Sequence, residues 1–186
     1  WENVKEEAIQ AGINGFLTKP IFKADILERL KQYIQGGYQE DEEQQIRESD
    51  NLEGVRILVA DDNELNLEIM FEIFNSSGAA VDCAHNGKEA LEAYLKSSQG
   101  YYQIILMDVH MPEMNGLEAT KEIRNSGRPD ACTVPIIAMT ADVFKEDIRR
   151  CQDAGMNAHM GKPVELDKLY STVRKLLNKE ALGEKQ

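Results

Sequence analysis

The sequence predicts an α/β fold in which a doubly wound, five-stranded parallel sheet lies between two layers of helices. Two observations support this prediction. Short apolar segments alternate five times with amphipathic helical patterns between residues 55 and 177, which is the order of elements in parallel-sheet domains. The composition, 42% hydrophobic and 29% charged over 186 residues, is that of a globular protein. A span of about 130 residues is enough to bury one such core.

The first half of the sheet is predicted from three segments. Val55–Ala60 is a short apolar run typical of a buried parallel strand. Residues 63–76 carry a wide apolar face at helical spacing, and Gly78 ends that pattern. The next strand, Ala80–Ala84, leads into a helix at Lys88–Lys96.

The same alternation continues through the second half. Ile104–Met107 is predicted to be the third strand and Leu117–Asn125 the helix after it. Pro135–Met139 is the fourth strand, followed by a helix over about residues 142–153. A weak strand at Ala158–Gly161 precedes a final amphipathic helix that begins near residue 166.

The fifth strand lies in a segment that occurs twice in the chain. Ala154–Pro163 aligns without gaps with Ala11–Pro20, and an amphipathic helical pattern follows both copies. Residues 1–38 are therefore predicted to be the α-β-α remnant of a second copy, and the acidic residues 39–52 a flexible linker to the complete domain at 53–182. Because the remnant's strand lacks neighbours of its own, we expect it to dock on a complete sheet within one chain or by exchange in a dimer.

Charge and hydropathy limit the partners and the compartment. The net charge is −12, whereas nucleic-acid and anionic-membrane surfaces need clustered Lys and Arg. The start of the chain lacks the pattern of a signal peptide, and no apolar run approaches the ~20 residues that span a bilayer. The three cysteines are widely spaced, which favours reduced thiols. We therefore expect a cytoplasmic protein with no nucleic-acid partner and no membrane contact by this segment.

Polar residues stand at the ends of the predicted strands, where doubly wound sheets place their chemistry. Asp61 and Asp62 follow the first strand, Asp108 the third, Thr140 the fourth and Lys162 the fifth. Any one of these acids alone is more simply explained as a turn former or a helix cap. Because the topology brings all five residues to one edge, their combination predicts a functional site.

The chemistry of these five side chains indicates a metal and a phosphoryl group. Two like charges about 4 Å apart repel by roughly 4 kcal/mol at an effective dielectric constant of 20, so a cluster of three carboxylates favours a bound cation or a proton. Oxygen donors without His or thiolate suit a hard divalent cation such as Mg²⁺, or Mn²⁺ in its place. A single ammonium beside them complements an anionic group such as phosphoryl.

Four motifs resemble the receiver domain of two-component response regulators, and together they cover about residues 53–180. The motifs are Val59-Ala-Asp-Asp-Asn63, Leu106-Met-Asp-Val-His-Met-Pro-Glu-Met-Asn-Gly116, Met139-Thr-Ala141 and Gly161-Lys-Pro163. The resemblance implies the flavodoxin-like receiver fold with strand order 2-1-3-4-5. The tandem arrangement is similar to the receivers of hybrid sensor histidine kinases, which implies a parent protein of that kind.

The resemblance also implies a role for each matching residue. Asp108 is the phosphoacceptor, which takes a phosphoryl group from a phosphohistidine in a histidine kinase or phosphotransfer domain and switches partner binding. Asp62, Asp108 and the backbone carbonyl of His110 ligate Mg²⁺ directly, and Asp61 acts through water. Lys162 pairs with the phosphoryl oxygens. Such a domain promotes its own phosphorylation and dephosphorylation.

The switch residues implied by the resemblance are Thr140 and the residue three before Lys162. That residue is commonly Tyr or Phe in the family, but here it is His159. Three interpretations of His159 are open: a surface His without a special role, a polar switch ring that packs beneath Thr140, or a pH-sensitive group. For His110, either only the backbone matters or the side chain influences hydrolysis of the acyl phosphate.

Two other functions compete with the phosphorelay receiver. One is a Mg²⁺-dependent phosphohydrolase with Asp108 as nucleophile, although such enzymes usually have a second acid where this chain has His110. The other is a receiver-like interaction scaffold that is not phosphorylated, against which the complete site argues.

Overall fold

The structure, a computed structural model, describes residues 51–141 and 145–183, and for residues 179–183 it describes the backbone alone. The predicted remnant at residues 1–38, nearly all of the predicted linker and residues 142–144 lie outside this description. The part described contains five strands and five helices in strict alternation: β1 (Arg56–Ala60), α1 (Glu64–Ser76), β2 (Ala80–Ala84), α2 (Gly87–Lys96), β3 (Ile104–Asp108), α3 (Gly116–Asn125), β4 (Ile136–Thr140), α4 (Lys145–Asp153), β5 (Ala158–Gly161) and α5 (Leu166–Gly183).

The five strands form one parallel sheet with the order β2-β1-β3-β4-β5. The predicted doubly wound sheet and its strand order are therefore confirmed. The chain reverses its direction of winding at β1, which pairs with both β2 and β3. At the carboxyl ends the register places Asp108 opposite Met139 and Thr140 opposite Gly161, so these strands end at the same edge.

Helices cover both faces of the sheet. On one face α1 and α5 contribute Leu67, Met70, Phe74, Leu169 and Val173 to an apolar core. On the other face α2, α3 and α4 contribute residues such as Ala90, Tyr94, Ala119, Ile123 and Cys151. Strands β1, β3 and β4 send alternate side chains into the two cores, which explains why they are apolar throughout.

Three of the helices begin at the edge where the strands end, each with an asparagine as its N-cap. The side chains of Asn63, Asn86 and Asn115 accept hydrogen bonds from backbone N–H groups of the first helical turn. The dipeptides Asn86-Gly87 and Asn115-Gly116, a sequence also common in β-hairpin turns, thus start helices here. Helices α2 and α3 begin at glycine, one residue earlier than the apolar pattern predicts.

Close packing explains the glycine at the start of α3. A Cβ on Gly116 would collide with the carbonyl oxygen of Asp108, so only glycine lets α3 approach the end of β3 this closely. The Gly116 N–H donates to the carbonyl oxygen of Val109 at 3.1 Å. Together these contacts hold the segment that follows Asp108 against the helix.

The described domain begins at Leu52 or before it. This residue, assigned to the linker by its acidic surroundings, is only 3% exposed and packs in the core beside α1 and α5. Its N–H donates to the carbonyl oxygen of Ser77 at 2.7 Å. Across the described ranges, every helix is too short or too polar to cross a membrane.

Candidate functional site

An ammonium group joins two carboxylates at the carboxyl edge of the sheet. Lys162, which directly follows β5, places its Nζ 2.6 Å from Asp61 Oδ2 and 2.6 Å from Asp108 Oδ2. Asp61 directly follows β1 and Asp108 is the last residue of β3. Both aspartates are only 5% exposed. The doubly wound topology therefore brings together three charged side chains from widely separated parts of the chain.

Asp61 is held by donors on both of its carboxylate oxygens. Its Oδ1 accepts from the Asn63 N–H at 3.0 Å and from the Asn66 side-chain amide at 2.9 Å. Its Oδ2 accepts from Lys162. The local sequence folds in this way because Asn63 caps α1 and Asn66 lies in the first turn of that helix.

Asp62 adds a third, exposed carboxylate to the cluster. One carboxylate oxygen from each of Asp61, Asp62 and Asp108 lies within 4.8 Å of the others. The donors are all hard oxygens, and this set fits a divalent cation such as Mg²⁺ better than a softer metal. Among the described residues, this is the cluster of acidic, His and Cys side chains that is arranged to hold an ion.

The carboxyl group of Asp108 is electrostatically strained. Burial raises its pKa above the ordinary value, and the charge of Asp61 raises it further. Hydrogen bonds from Lys162 and from the His110 N–H, which lies 3.3 Å from Asp108 Oδ1, act against this increase. Asp108 is thus a buried carboxylate whose charge the folded protein does not fully compensate.

Lys162 is held firmly in its charged form. Burial by itself would lower its pKa, but the hydrogen bonds and charges of Asp108 and Asp61 outweigh that effect and raise it. The Lys162 N–H donates to the carbonyl oxygen of Thr140 at 2.7 Å, and the Lys162–Pro163 peptide bond is cis. The site therefore places a charged ammonium beside the buried carboxylate of Asp108.

The segment between Asp108 and α3 has a constrained backbone. The Val109 N–H donates to the carbonyl oxygen of Met139 at 3.0 Å, and Met114 donates to Pro112 at 2.7 Å. Glu113 lies between them with a φ of 63°, a left-handed conformation that costs a non-glycine residue about 1–3 kcal/mol. The surrounding contacts keep this segment in one arrangement next to Asp108.

The remaining predicted residues occupy different surroundings. Thr140 is the last residue of β4 and is 2% exposed. The side chains of His110 and His159 are both exposed. His159 lies on β5 opposite Ala138, at the surface. Its part in switching stays a prediction.

Two residues that shape the site are not predicted from the sequence. Asn66 donates to Asp61, and Gly116 allows the close approach of α3 to Asp108. A signal for Asn66 was present, since a polar residue stands between Leu65 and Leu67 one turn after the acidic pair. For Gly116 the signal was a residue of poor helix propensity at the start of a helix.

Comparison with known proteins agrees with this geometry. Residues 57–174 match the response regulator receiver domain family. The hybrid signal transduction histidine kinase L of Dictyostelium discoideum is 36% identical over 121 residues, which cover 64% of this chain and 7% of that protein. The probable histidine kinase 6 of Oryza sativa subsp. japonica is 33% identical over 178 residues, or 86% of this chain and 18% of that protein. The chain thus spans a small fraction of these relatives.

Two solved structures share the fold. The receiver domain of the sensor histidine kinase PA1611 from Pseudomonas aeruginosa PAO1, with a magnesium ion in its active-site cleft, has a TM-score of 0.61 and 31% identity. The alignment covers 67% of this chain and 98% of that one. The receiver domain of Ssk1, crystallised with the Saccharomyces cerevisiae phosphotransfer protein Ypd1, has a TM-score of 0.61 and 28% identity over 68% and 91% of the chains.

The family match covers more than half of the chain and includes every residue of the carboxylate–lysine cluster. The chain therefore belongs to the family of response regulator receiver domains.

Proposed function

We propose that this domain accepts a phosphoryl group on Asp108 in a two-component phosphorelay. The observation that carries the proposal is the position of Lys162 Nζ, 2.6 Å from the Asp108 carboxylate. A phosphoryl group attached to that carboxylate would bring its oxygens within reach of the ammonium, which would stabilise the charge that develops during transfer.

The chemistry transfers one phosphoryl group between two side chains. A carboxylate oxygen of Asp108 attacks the phosphorus of a phosphohistidine, an O–P bond forms, and the N–P bond breaks with its electron pair left on the imidazole nitrogen. The buried, poorly compensated charge of Asp108 favours this attack, because the group loses solvation before the reaction begins. The protein supplies position and charge stabilisation.

Asp62, Asp108 and the backbone carbonyl of His110 would hold Mg²⁺ directly, with Asp61 acting through water. Asp61 accepts three hydrogen bonds from protein donors, whereas Asp108 accepts two, and this fuller set of donors supports an indirect role for Asp61. When bound, the cation would neutralise charge on the phosphoryl oxygens. Mn²⁺ offers the same hard, octahedral chemistry.

Thr140 and His159 are proposed to report the phosphorylated state. Thr140 ends β4 next to Asp108's strand, and its carbonyl oxygen is tied to the Lys162 N–H. A movement of Lys162 toward a phosphoryl group would therefore be transmitted to Thr140 through this hydrogen bond. The Thr140 hydroxyl would turn toward the new anion. His159, at the surface of β5, would respond as the second switch position.

The proposed donor is a histidine kinase or a histidine phosphotransfer domain. The Ssk1 receiver, which shares this fold, was crystallised with such a phosphotransfer protein. The matched relatives include hybrid histidine kinases of which this chain spans a small part, so we infer a hybrid histidine kinase as the parent. The free cysteines of the described domain support a reducing, cytoplasmic compartment.

The experiment combines the full chain with acetyl phosphate and MgCl₂. We expect the intact mass to increase by one phosphoryl group and hydroxylamine to remove it, as an acyl phosphate requires. Asp108→Asn should abolish the label. Asp153→Asn, which changes an exposed acid at the end of α4, is the matched control and should be labelled like the wild type.

The other outcomes identify the competing functions. Continuous release of inorganic phosphate without a labelled protein would indicate a phosphohydrolase. A chain that neither accumulates the label nor releases phosphate would be a scaffold, and the proposal would be wrong.

A further inference from the structure

Asp61 has more donors than its pair with Lys162 requires. The Asn66 amide and the Asn63 N–H both donate to Oδ1, at 2.9 and 3.0 Å, and the Lys162 ammonium donates to Oδ2 at 2.6 Å. Asn63 has an independent task as the N-cap of α1. For the half-buried Asn66, the contact with Asp61 is the interaction that links its side chain to the charged cluster.

The orientation of Asp61 decides where Lys162 lies. The terminal torsion of an aspartate is broad and roughly two-fold, so one backbone donor restrains it weakly. Since Lys162 Nζ lies 2.6 Å from both Asp61 and Asp108, a rotation of the Asp61 carboxylate would remove one of the two partners that fix the ammonium beside Asp108. Asn66 supplies a second donor that carries no charge and leaves the balance of the cluster unchanged.

We propose that Asn66 is a positioning residue for phosphoryl transfer, which holds Asp61 so that Asp61 keeps Lys162 aligned on Asp108. The inference rests on the proposed function of Asp108 as the phosphoacceptor. Asn66 acts through Asp61 and has no contact of its own with the reacting atoms. By engaging Oδ1, it would also leave Asp61 to act on a bound cation through water, whereas Asp62 and Asp108 would hold that cation directly.

The test compares Asn66→Leu, of similar size but without donors, with the wild-type full chain. The rate of labelling by acetyl phosphate at saturating Mg²⁺ should fall about tenfold, which equals about 1.4 kcal/mol and is close to the lower limit for a hydrogen bond to a charged group. The Mg²⁺ dissociation constant from calorimetry should change less than about threefold, since Asp62 and Asp108 are unaltered. Asn75→Leu, exposed near the end of the same helix, is the control and should match the wild type in both measurements.

A double-mutant cycle separates positioning from a general structural effect. If Asn66 acts through Asp61, then Asn66→Leu should change the labelling rate less than about twofold in an Asp61→Asn background. Additive effects in the cycle would overturn the inference, as would a rate within about twofold of the wild type for the single variant. Should Asn66→Leu fail to fold, Asn66→Ala goes through the same measurements. A wild-type chain that takes no label contradicts the proposed function itself, whereas a labelled wild type with an unaffected Asn66 variant contradicts this inference alone.

Discussion

Asp108→Asn should make the folded domain more stable at pH 7, although it removes one partner of an ion pair. The pKa of Asp108 is raised by burial, which means that the folded state prefers the uncharged form of this group. Asparagine has nearly the same shape and is always neutral. The variant therefore keeps the packing around Asp108 and removes the cost of burying a charge.

The size of the effect follows from the distances in the site. At an effective dielectric constant of 20, the attraction of Lys162 at 2.6 Å is about 6 kcal/mol, and the repulsion from Asp61 at 4.8 Å or less is about 3.5 kcal/mol. Asp62, whose carboxylate lies within the same 4.8 Å, repels Asp108 as well, so the remaining attraction is at most about 3 kcal/mol. That is smaller than the several kcal/mol that burial of an ion costs. We expect a gain of about 1–2 kcal/mol in the free energy of unfolding.

The gain should depend on pH in a defined direction. Because the folded-state pKa of Asp108 lies above the unfolded value, the wild type loses stability as the pH rises between these two values, and the loss is complete above both. The advantage of Asp108→Asn should therefore grow as the pH rises through the folded-state pKa of Asp108. It should shrink as the pH falls toward about 3.9, the ordinary pKa of aspartate, where the wild type binds the same proton.

Urea unfolding followed by circular dichroism, with EDTA present, measures both quantities. Glu122→Gln, which changes an exposed carboxylate on α3, is the control and should stay within about 0.5 kcal/mol of the wild type. An Asp108→Asn variant less stable than the wild type at pH 7 would refute the reasoning, and so would a gain that stays constant down to pH 4.

Two further variants probe the same edge of the sheet. Lys162→Met should lower the free energy of unfolding by about 3–5 kcal/mol without divalent cations, because it leaves two buried carboxylates facing each other. A loss under about 1 kcal/mol, measured by urea unfolding, would contradict the stabilising role of the ion pairs that Lys162 forms with Asp61 and Asp108. Gly116→Ala should cost about 1–3 kcal/mol, because the new Cβ meets the Asp108 carbonyl oxygen, and it should slow labelling of Asp108. Unchanged thermal unfolding would show that α3 can move away at no cost.

The residues at the strand ends could be placed from the sequence because the topology of the sheet determines where each strand ends. Once Val55–Ala60, Ile104–Met107 and the later apolar runs are recognised as parallel strands, their carboxyl ends must meet at one edge. Asp61, Asp108 and Lys162 are then neighbours whatever the details of packing, and the structure brings their side chains together. Their roles in phosphoryl transfer stay predictions until they are measured.

Features that depend on exact distances could not be predicted from the order of the strands. The hydrogen bond from Asn66 to Asp61 depends on the direction in which α1 leaves β1, which a periodic pattern does not contain. The starts of α2 and α3 were missed by one residue, because Gly87 and Gly116 disfavour a helix and are there for close packing. Leu52 was assigned to the linker because a single apolar residue after an acidic run gives no periodic signal.

The asparagine caps at the starts of α1, α2 and α3 have a consequence for recognition. In each cap the asparagine side chain accepts a hydrogen bond from a backbone N–H of the first helical turn, that of Leu65, Glu89 or Glu118. These turns are therefore ordered by folding itself, and an incoming partner spends none of its binding free energy on arranging them. A surface that is already ordered lowers the entropic cost of binding for any partner that contacts these turns.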